Sequence, residues 1–231
     1  IEKYLKLFGA ICIEGPKWCG KTWTSSYHSN SEFLVGDPSG NFSNRMLAEM
    51  EPYTVLRGET PRLIDEWQEV PCLWDATRAY VDRTGEKGQI ILTGSSTPKE
   101  KGIIHSGTGR IKSIRMNTMS LYESGDSTGL ISLYDLCNGK FNSQILEETK
   151  LEHLAYLITR GGWPGNIDSS IDDCFEIANA YMDNVVKIDL KKLDSDIDYN
   201  EHKAKLILKS LARYESTTAS NNNILNVFCE Y

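Results

Sequence analysis

The first half of the chain alternates apolar runs with amphipathic or polar stretches, which predicts strands and helices in turn. Ala10-Ile11-Cys12-Ile13 is unbroken apolar sequence, the pattern of a strand covered on both faces. The helix-compatible segment Lys21 to Tyr27 follows, then a short strand at Phe33-Leu34-Val35, closed by the turn formers Gly36-Asp37-Pro38-Ser39-Gly40. Asn44 to Glu51 suits a helix, and Arg62-Leu63-Ile64-Asp65-Glu66 reads as a strand ending in two acids. From Pro71, the positions Leu73, Trp74, Thr77, Tyr80 and Val81 recur at three- and four-residue steps, predicting a helix to Asp82. Gln89 to Ser96 is a buried-type strand that finishes in small hydroxyl residues. Ile111-Lys112-Ser113-Ile114-Arg115-Met116 alternates instead, with Lys and Arg outward, and reads as an edge strand. Strands and helices in this order predict an α/β fold with a parallel sheet flanked by helices.

The pattern turns helical from about Leu136. Ile145, Leu146, Leu151, Leu154, Ala155, Leu157 and Ile158 share one apolar face, stopped by Gly161-Gly162-Trp163-Pro164-Gly165. Ile171, Phe175, Ala178, Met182, Val185 and Val186 make a second stripe, opened by Ser170 with Asp173 three residues on as a capping box. Lys191 to Asn200 is charged and linker-like, His202 to Tyr214 is a third helix, and a Ser/Thr/Asn turn precedes Ile224-Leu225-Asn226-Val227. The expected division is therefore a core over 1–135, helices over 136–192 and a last segment over 193–231.

With 40% hydrophobic and 25% charged residues, the composition is that of an ordinary globular protein, and no apolar run approaches the ~18 residues of a membrane span. The chain opens at Ile1 without a charged and apolar leader pattern and reads as trimmed. A net charge of −7 with scattered basic residues argues against a broad nucleic-acid footprint, leaving room only for a local basic groove. Cys12, Cys19, Cys72, Cys137, Cys174 and Cys229 lie far apart, with no pairing at zinc spacing, which predicts reduced thiols and a cytoplasmic location.

The chemistry is concentrated between the first strand and the first helix. Gly15-Pro16-Lys17-Trp18-Cys19-Gly20-Lys21-Thr22 fits the phosphate-loop (Walker A) pattern G-x-x-x-x-G-K-[ST] at every fixed position. In that pattern, glycines let backbone N–H groups turn inward around a phosphate chain, and the next helix presents its positive N-terminal end to the same anion. Lys21 is then expected to reach the β and γ phosphates, and Thr22 to offer its hydroxyl to magnesium, a hard cation that prefers oxygen and shares its shell with substrate phosphates. A Gly-rich turn carrying a surface lysine is the plainer reading of the same residues.

About 40 residues on, the acidic strand supplies the far side of such a site. Asp65 is expected to hold magnesium through its water shell, and Glu66 to polarise the attacking water. A strand-sized run lies between the two anchors, so the acidic strand need not neighbour the first one. The strand Gln89 to Ser96 ends where parallel sheets bind ligands, so Ser95 or Thr93 is placed to sense the γ-phosphate or orient the water, and a capping turn is an equal alternative. Arg110 follows the flexible Gly107-Thr108-Gly109 turn, from which a guanidinium can complete an ATP site, that of a neighbouring subunit in particular. Pairing with a surface carboxylate is the competing reading. His105 has no partner at ligand spacing.

Taken in order, Gly15 to Thr22, Leu63-Ile64-Asp65-Glu66-Trp67-Gln68, Ile91-Leu92-Thr93-Gly94-Ser95-Ser96, Gly109-Arg110, Met119-Ser120-Leu121-Tyr122-Glu123 and Gly161-Gly162-Trp163-Pro164 resemble a large group of prokaryotic AAA-type ATPases that carry an uncharacterised C-terminal domain. The resemblance runs across almost the whole chain. It implies a phosphate-loop sheet of about five parallel strands, a helical lid, a winged-helix segment of which this chain carries the start, and a last domain that it lacks. Trp18 and Cys19 depart from the polar or small residues of the group. Adenine, rather than guanine, follows from the resemblance alone, as no N-K-x-D element is present.

The expected function is an ATP-binding and ATP-hydrolysing switch or motor that uses Mg2+, assembles as a homo-oligomer and meets a protein or DNA partner through its C-terminal region. The alternative is a nucleotide-regulated scaffold, or DNA-associated module, without significant turnover. Glu66 after Asp65 favours turnover. A small-molecule kinase would need a phosphoacceptor pocket, of which the sequence carries no mark.

Overall fold

The computed structural model describes residues 1–95, 103–140, 148–190 and 200–226. Two compact units emerge, one of residues 1–146 with 161–167, the other of residues 147–160 with 168–231.

The first unit is built on a five-stranded sheet of β1 (Ala10–Gly15), β2 (Ser31–Leu34), β3 (Arg62–Asp65), β4 (Ile90–Ser95) and β5 (Ile111–Arg115), in the spatial order β2-β3-β4-β1-β5. Every pairing is parallel. The strand between the phosphate-loop strand and the acidic strand is β4. By contrast β2, which lies between those anchors in sequence, takes the far edge. Register carries the consequence for function. Gly15 pairs with Ser95 and Ile64 with Leu92, so the loop after β1, the end of β4 and the acidic end of β3 meet at one end of the sheet.

The sheet is apolar on both faces because helices cover both. Ala10, Cys12, Ile64, Ile90 and Leu92 face one core with Trp67, Leu73 and Trp74. Ile11, Ile13, Leu63 and Ile91 face the other, with Leu5 of the short helix α1 (Glu2–Leu5). These side chains are almost fully removed from water, the isoleucines and leucines each contributing about 1.5–3 kcal/mol of burial. The phosphate-loop helix is α2 (Lys21–Tyr27). Helix α3 (Ser39–Met50) is regular only beyond Phe42, since Gly40, Asn41 and Phe42 all have φ near +60°. Helix α4 (Pro52–Val55) is a single turn, and α5 (Cys72–Thr84) buries Leu73, Trp74, Ala76, Thr77 and Val81 before Gly85 ends it in a left-handed conformation. Strand β5 is an edge strand as expected, but its cations do not share a face. Lys112 lies over the Tyr4 ring at 5.8 Å on the side of Ile114, while Arg115 follows the Ile111 side. A five-residue helix α6 (Leu133–Cys137) follows.

In the second unit, α7 (Leu151–Arg160) packs with α8 (Ile171–Asn184). Ser170 Oγ accepts from the N–H of Asp173 at 3.1 Å, the N-cap expected from the sequence, and its hydroxyl, rather than its N–H, donates to the Asp173 carboxylate at 2.7 Å. Helix α8 runs on into a π-helical turn, Val185–Asp189. Helix α9 (Glu201–Tyr214), capped by Asn200, is tied to α10 (Asn221–Asn226) by Ser210 Oγ donating to the Ile224 carbonyl at 2.9 Å. Ser96, Ile145, Leu146, most of the charged stretch from Lys191 and Val227 lie outside the described residues. Among the described residues no helix is long and apolar enough to cross a membrane, and the five cysteines there are free thiols.

Candidate functional site

The loop from Gly15 to Gly20 is shaped by what crowds it. A Cβ on Gly15 would stand 2.3 Å from the Met116 carbonyl, because the chain leaving β5 crosses there and hydrogen-bonds Glu14. Gly20 has φ +97° and starts α2, a conformation that L side chains rarely adopt. Cys19 is buried, its sulfur 3.2 Å from where that Gly15 Cβ would be, so it fills the inside of the loop. Trp18 takes φ +66° and turns outward, 61% exposed. Pro16 is half-buried and Lys17 exposed.

Lys21 opens α2 and is buried, with Nζ donating to the carbonyls of Gly15 at 3.1 Å and Pro16 at 2.8 Å. Its ammonium is therefore held over the loop's own backbone. Next to it, Thr22 Oγ1 donates to Asp65 Oδ1 at 3.0 Å, joining α2 to the end of β3. Thr93 on β4 donates to the same carboxylate oxygen. Its hydroxyl in turn accepts from the Glu66 N–H at 3.3 Å. Of the two residues singled out in that strand, Thr93 is bonded into the cluster through its hydroxyl, and Ser95 is placed by backbone register beside Gly15.

Glu66 is the first residue after β3, in the left-handed region at φ 57°, ψ 44°. This turn carries the chain sharply into the 3-10 turn Trp67–Glu69, and Gln68 Nε2 donates to Glu66 Oε2. Gln68 was not singled out by sequence reasoning as a site residue. Its signal was its place just behind the two acids, at the end of the Leu63 to Gln68 stretch that resembles the AAA-type group.

Thr22 and Asp65 together offer one hydroxyl and one carboxylate to a cation. Among the described residues no group of three or more His, Cys, Asp or Glu side chains could hold a metal ion. That donor set suits magnesium, which keeps several waters and takes substrate phosphate oxygens alongside one or two protein ligands. Burial pushes the Cys12 thiol on β1 far above its usual range, so it stays protonated.

Arg110 stands apart from these groups. Its carbonyl accepts from Ala10 N–H at the start of β1, the end of the sheet opposite the phosphate loop, about 16 Å away by strand rise. Its Nε donates to Asp82 at 2.7 Å, and Asp82 also pairs with Arg78 at 3.2 Å. The loop before it is fastened to α5, with Asp75 accepting from the N–H groups of Ile104 and His105 and pairing with the His105 ring at 2.9 Å. His105, without a sequence partner, thus has one in space.

The Gly161–Ile167 turn belongs to the first unit. Gly162 accepts from Met119 N–H at 2.7 Å, and Pro164 Cγ lies 3.7 Å from the position of a Cβ on Gly20. The Gly-Gly-Trp-Pro stretch, which reads in sequence as a helix stop, therefore also packs beside the phosphate loop.

No curated protein matches the chain. Among solved structures, a DNA replication initiation factor is similar at 13% identity and a TM-score of 0.40, over 98% of this chain and 79% of that one. The FIGL-1 AAA domain in complex with ADP is similar at 13% identity and a TM-score of 0.36, over 96% of this chain and 76% of that one. Residues 8–125, more than half of the chain, match the family model described as AAA domain. With the parallel sheet and its phosphate loop, that match makes this chain a member of the AAA domain family of ATPase-like modules.

Proposed function

We propose that the chain binds ATP and hydrolyses it with Mg2+, acting as a switch or motor module in the cytosol. The observation that carries this reading is the 3.0 Å hydrogen bond from Thr22 of the phosphate loop to Asp65 at the acidic strand end. It supports a shared magnesium site, since both are oxygen donors of the kind this cation prefers. Magnesium bound there would neutralise phosphate charge. Lys21, already directed over the loop, exchanges its carbonyl partners for phosphate oxygens, and the loop N–H groups cradle the same anion. Glu66 orients a water and takes its proton, and Ser95, level with Gly15 at the end of β4, answers to the γ-phosphate.

In this reading Arg110 serves a neighbouring subunit in a homo-oligomer, since its position at the opposite end of the sheet suits a partner's site better than its own. The helices over 136–192 act as a lid, and the region over 193–231 begins a winged-helix segment offered to a protein or DNA partner. The test is phosphate release by the full chain, with and without magnesium. Magnesium-dependent release that disappears in Glu66→Gln is the expected result. Tight nucleotide binding without release would leave a nucleotide-regulated scaffold instead.

A further inference from the structure

Gln68 closes the acidic stretch Leu63 to Gln68, and the proposed chemistry gives it no role. Its Nε2 donates to Glu66 Oε2, which settles the direction of the amide, since a carboxylate offers only acceptors. Oε1 must then point the other way, where it is buried with no hydrogen-bond partner among the described residues. It lies against Gly94 of β4. A Cβ on Gly94 would stand 2.7 Å from Oε1 and 2.9 Å from Trp67 Nε1. Trp67 is only 1% exposed, so it has little room to give. Glu66 itself is fixed at its backbone, with its N–H on Thr93 Oγ1 at 3.3 Å and φ in the left-handed region. The carboxylate is thus held from two sides, by the turn that launches it and by the amide that grips its tip.

For packing alone, an amide is a poor occupant here. A buried acceptor left unpaired is unfavourable, and a methionine of nearly the same length would fill the space without one. What glutamine adds, and methionine cannot, is the donor to Glu66. We infer that Gln68 is a positioning residue that holds the Glu66 carboxylate in its orientation for hydrolysis, and that Gly94 keeps open the space the amide needs. The inference rests on the reading of Glu66 as the group that prepares water. A residue acting in this way raises turnover through orientation and leaves ground-state binding of nucleotide untouched.

The experiment compares the parental chain with Gln68→Met, Gln68→Glu, Gly94→Ala and Glu66→Gln, using steady-state hydrolysis of Mg-ATP, calorimetric ADP binding and thermal midpoints without nucleotide. Met removes the donor and keeps the length; Glu keeps the shape and sets a like charge against Glu66. In Gly94→Ala the new methyl displaces the amide, whose far end is the softest neighbour. The expected result is a kcat about ten-fold lower in Gln68→Met and Gly94→Ala and lower again in Gln68→Glu, with KM and ADP affinity within about two-fold of parental. The thermal midpoint of Gln68→Met is expected to equal or exceed the parental one, because the unpaired acceptor has gone. Parental or faster turnover in Gln68→Met, or a loss that tracks ADP affinity or thermal midpoint, overturns the role of Gln68 while leaving Glu66 in place. Parental turnover in Glu66→Gln overturns both.

Discussion

Thr22 and Asp65 are 43 residues apart in sequence and 3.0 Å apart between Oγ1 and Oδ1. The contact joins the first turn of α2 to the end of β3 across an intervening strand, β4, which adds Thr93 to the same carboxylate. If the pair holds magnesium, Thr22→Ala and Asp65→Asn should each weaken Mg-ATP binding far more than binding of ATP in EDTA. Calorimetry in the two buffers measures this. Equal losses in both would make the contact a structural tie between helix and strand.

Lys21→Ala should abolish measurable nucleotide binding and leave the fold intact. The side chain is buried, yet its amine bonds loop carbonyls rather than a distant core group. Each charged hydrogen bond to phosphate is worth about 1.5–3 kcal/mol. Unchanged calorimetric ATP affinity, with circular dichroism showing a folded chain, would remove the phosphate-loop assignment.

Glu66→Gln should retain nucleotide and lower hydrolysis by about 10²- to 10⁴-fold, since an amide still orients water but takes no proton from it. Single-turnover phosphate release beside ADP affinity separates the two properties. A rate equal to the parental one would make Glu66 structural.

Arg110→Ala should lower hydrolysis only where subunits meet. Specific activity of the parental chain should rise with protein concentration, and an equal mixture of Arg110→Ala and Glu66→Gln chains should regain part of the rate at hybrid interfaces, an arginine of this kind being worth about 10³ to 10⁵ in rate. Flat specific activity and no recovery in the mixture would leave Arg110 as the partner of Asp82.

The loop that delivers Arg110 should loosen in acid. Burial alone would raise the Asp75 carboxyl, but hydrogen bonds from Ile104 N–H and from the ring and N–H of His105, with the charge of that ring, hold it below its usual value. A carboxyl lowered in the folded state stabilises above its unfolded value and loses that contribution as pH falls through the folded one. The parental chain should therefore exceed Asp75→Asn in thermal midpoint at pH 7, and the gap should close below about pH 4. A gap independent of pH over that range would assign the effect to packing.

Local pattern was enough to place all five strands and the helices α2, α3 and α5, but not the four-residue helices α1 and α4, which are too short to show a period. A fully apolar run such as Ala10 to Ile13 has one stable position, inside a sheet covered on both faces. The phosphate loop was legible for a similar reason, because its constraint is on backbone. Only glycine accepts φ +97° at position 20 without cost or lets the Met116 carbonyl pass at position 15. The alternation in β5 marked an edge strand, although it could not say on which face each cation would lie.

Strand order, and everything that depends on it, came from long-range pairing. The insertion of β4 between β1 and β3 brings Thr93 to Asp65 and sets Gly94 against Gln68, contacts between residues 26 to 28 positions apart that no local period encodes. The same pairing sends Arg110 to the far end of the sheet, because parallel strands align their starts with one another and their ends with one another. Sequence by itself therefore determined which groups could do phosphate chemistry, since residue type and backbone freedom are local properties. Which of them meet was decided by the sheet, because only the register of paired strands converts distance along the chain into distance in space.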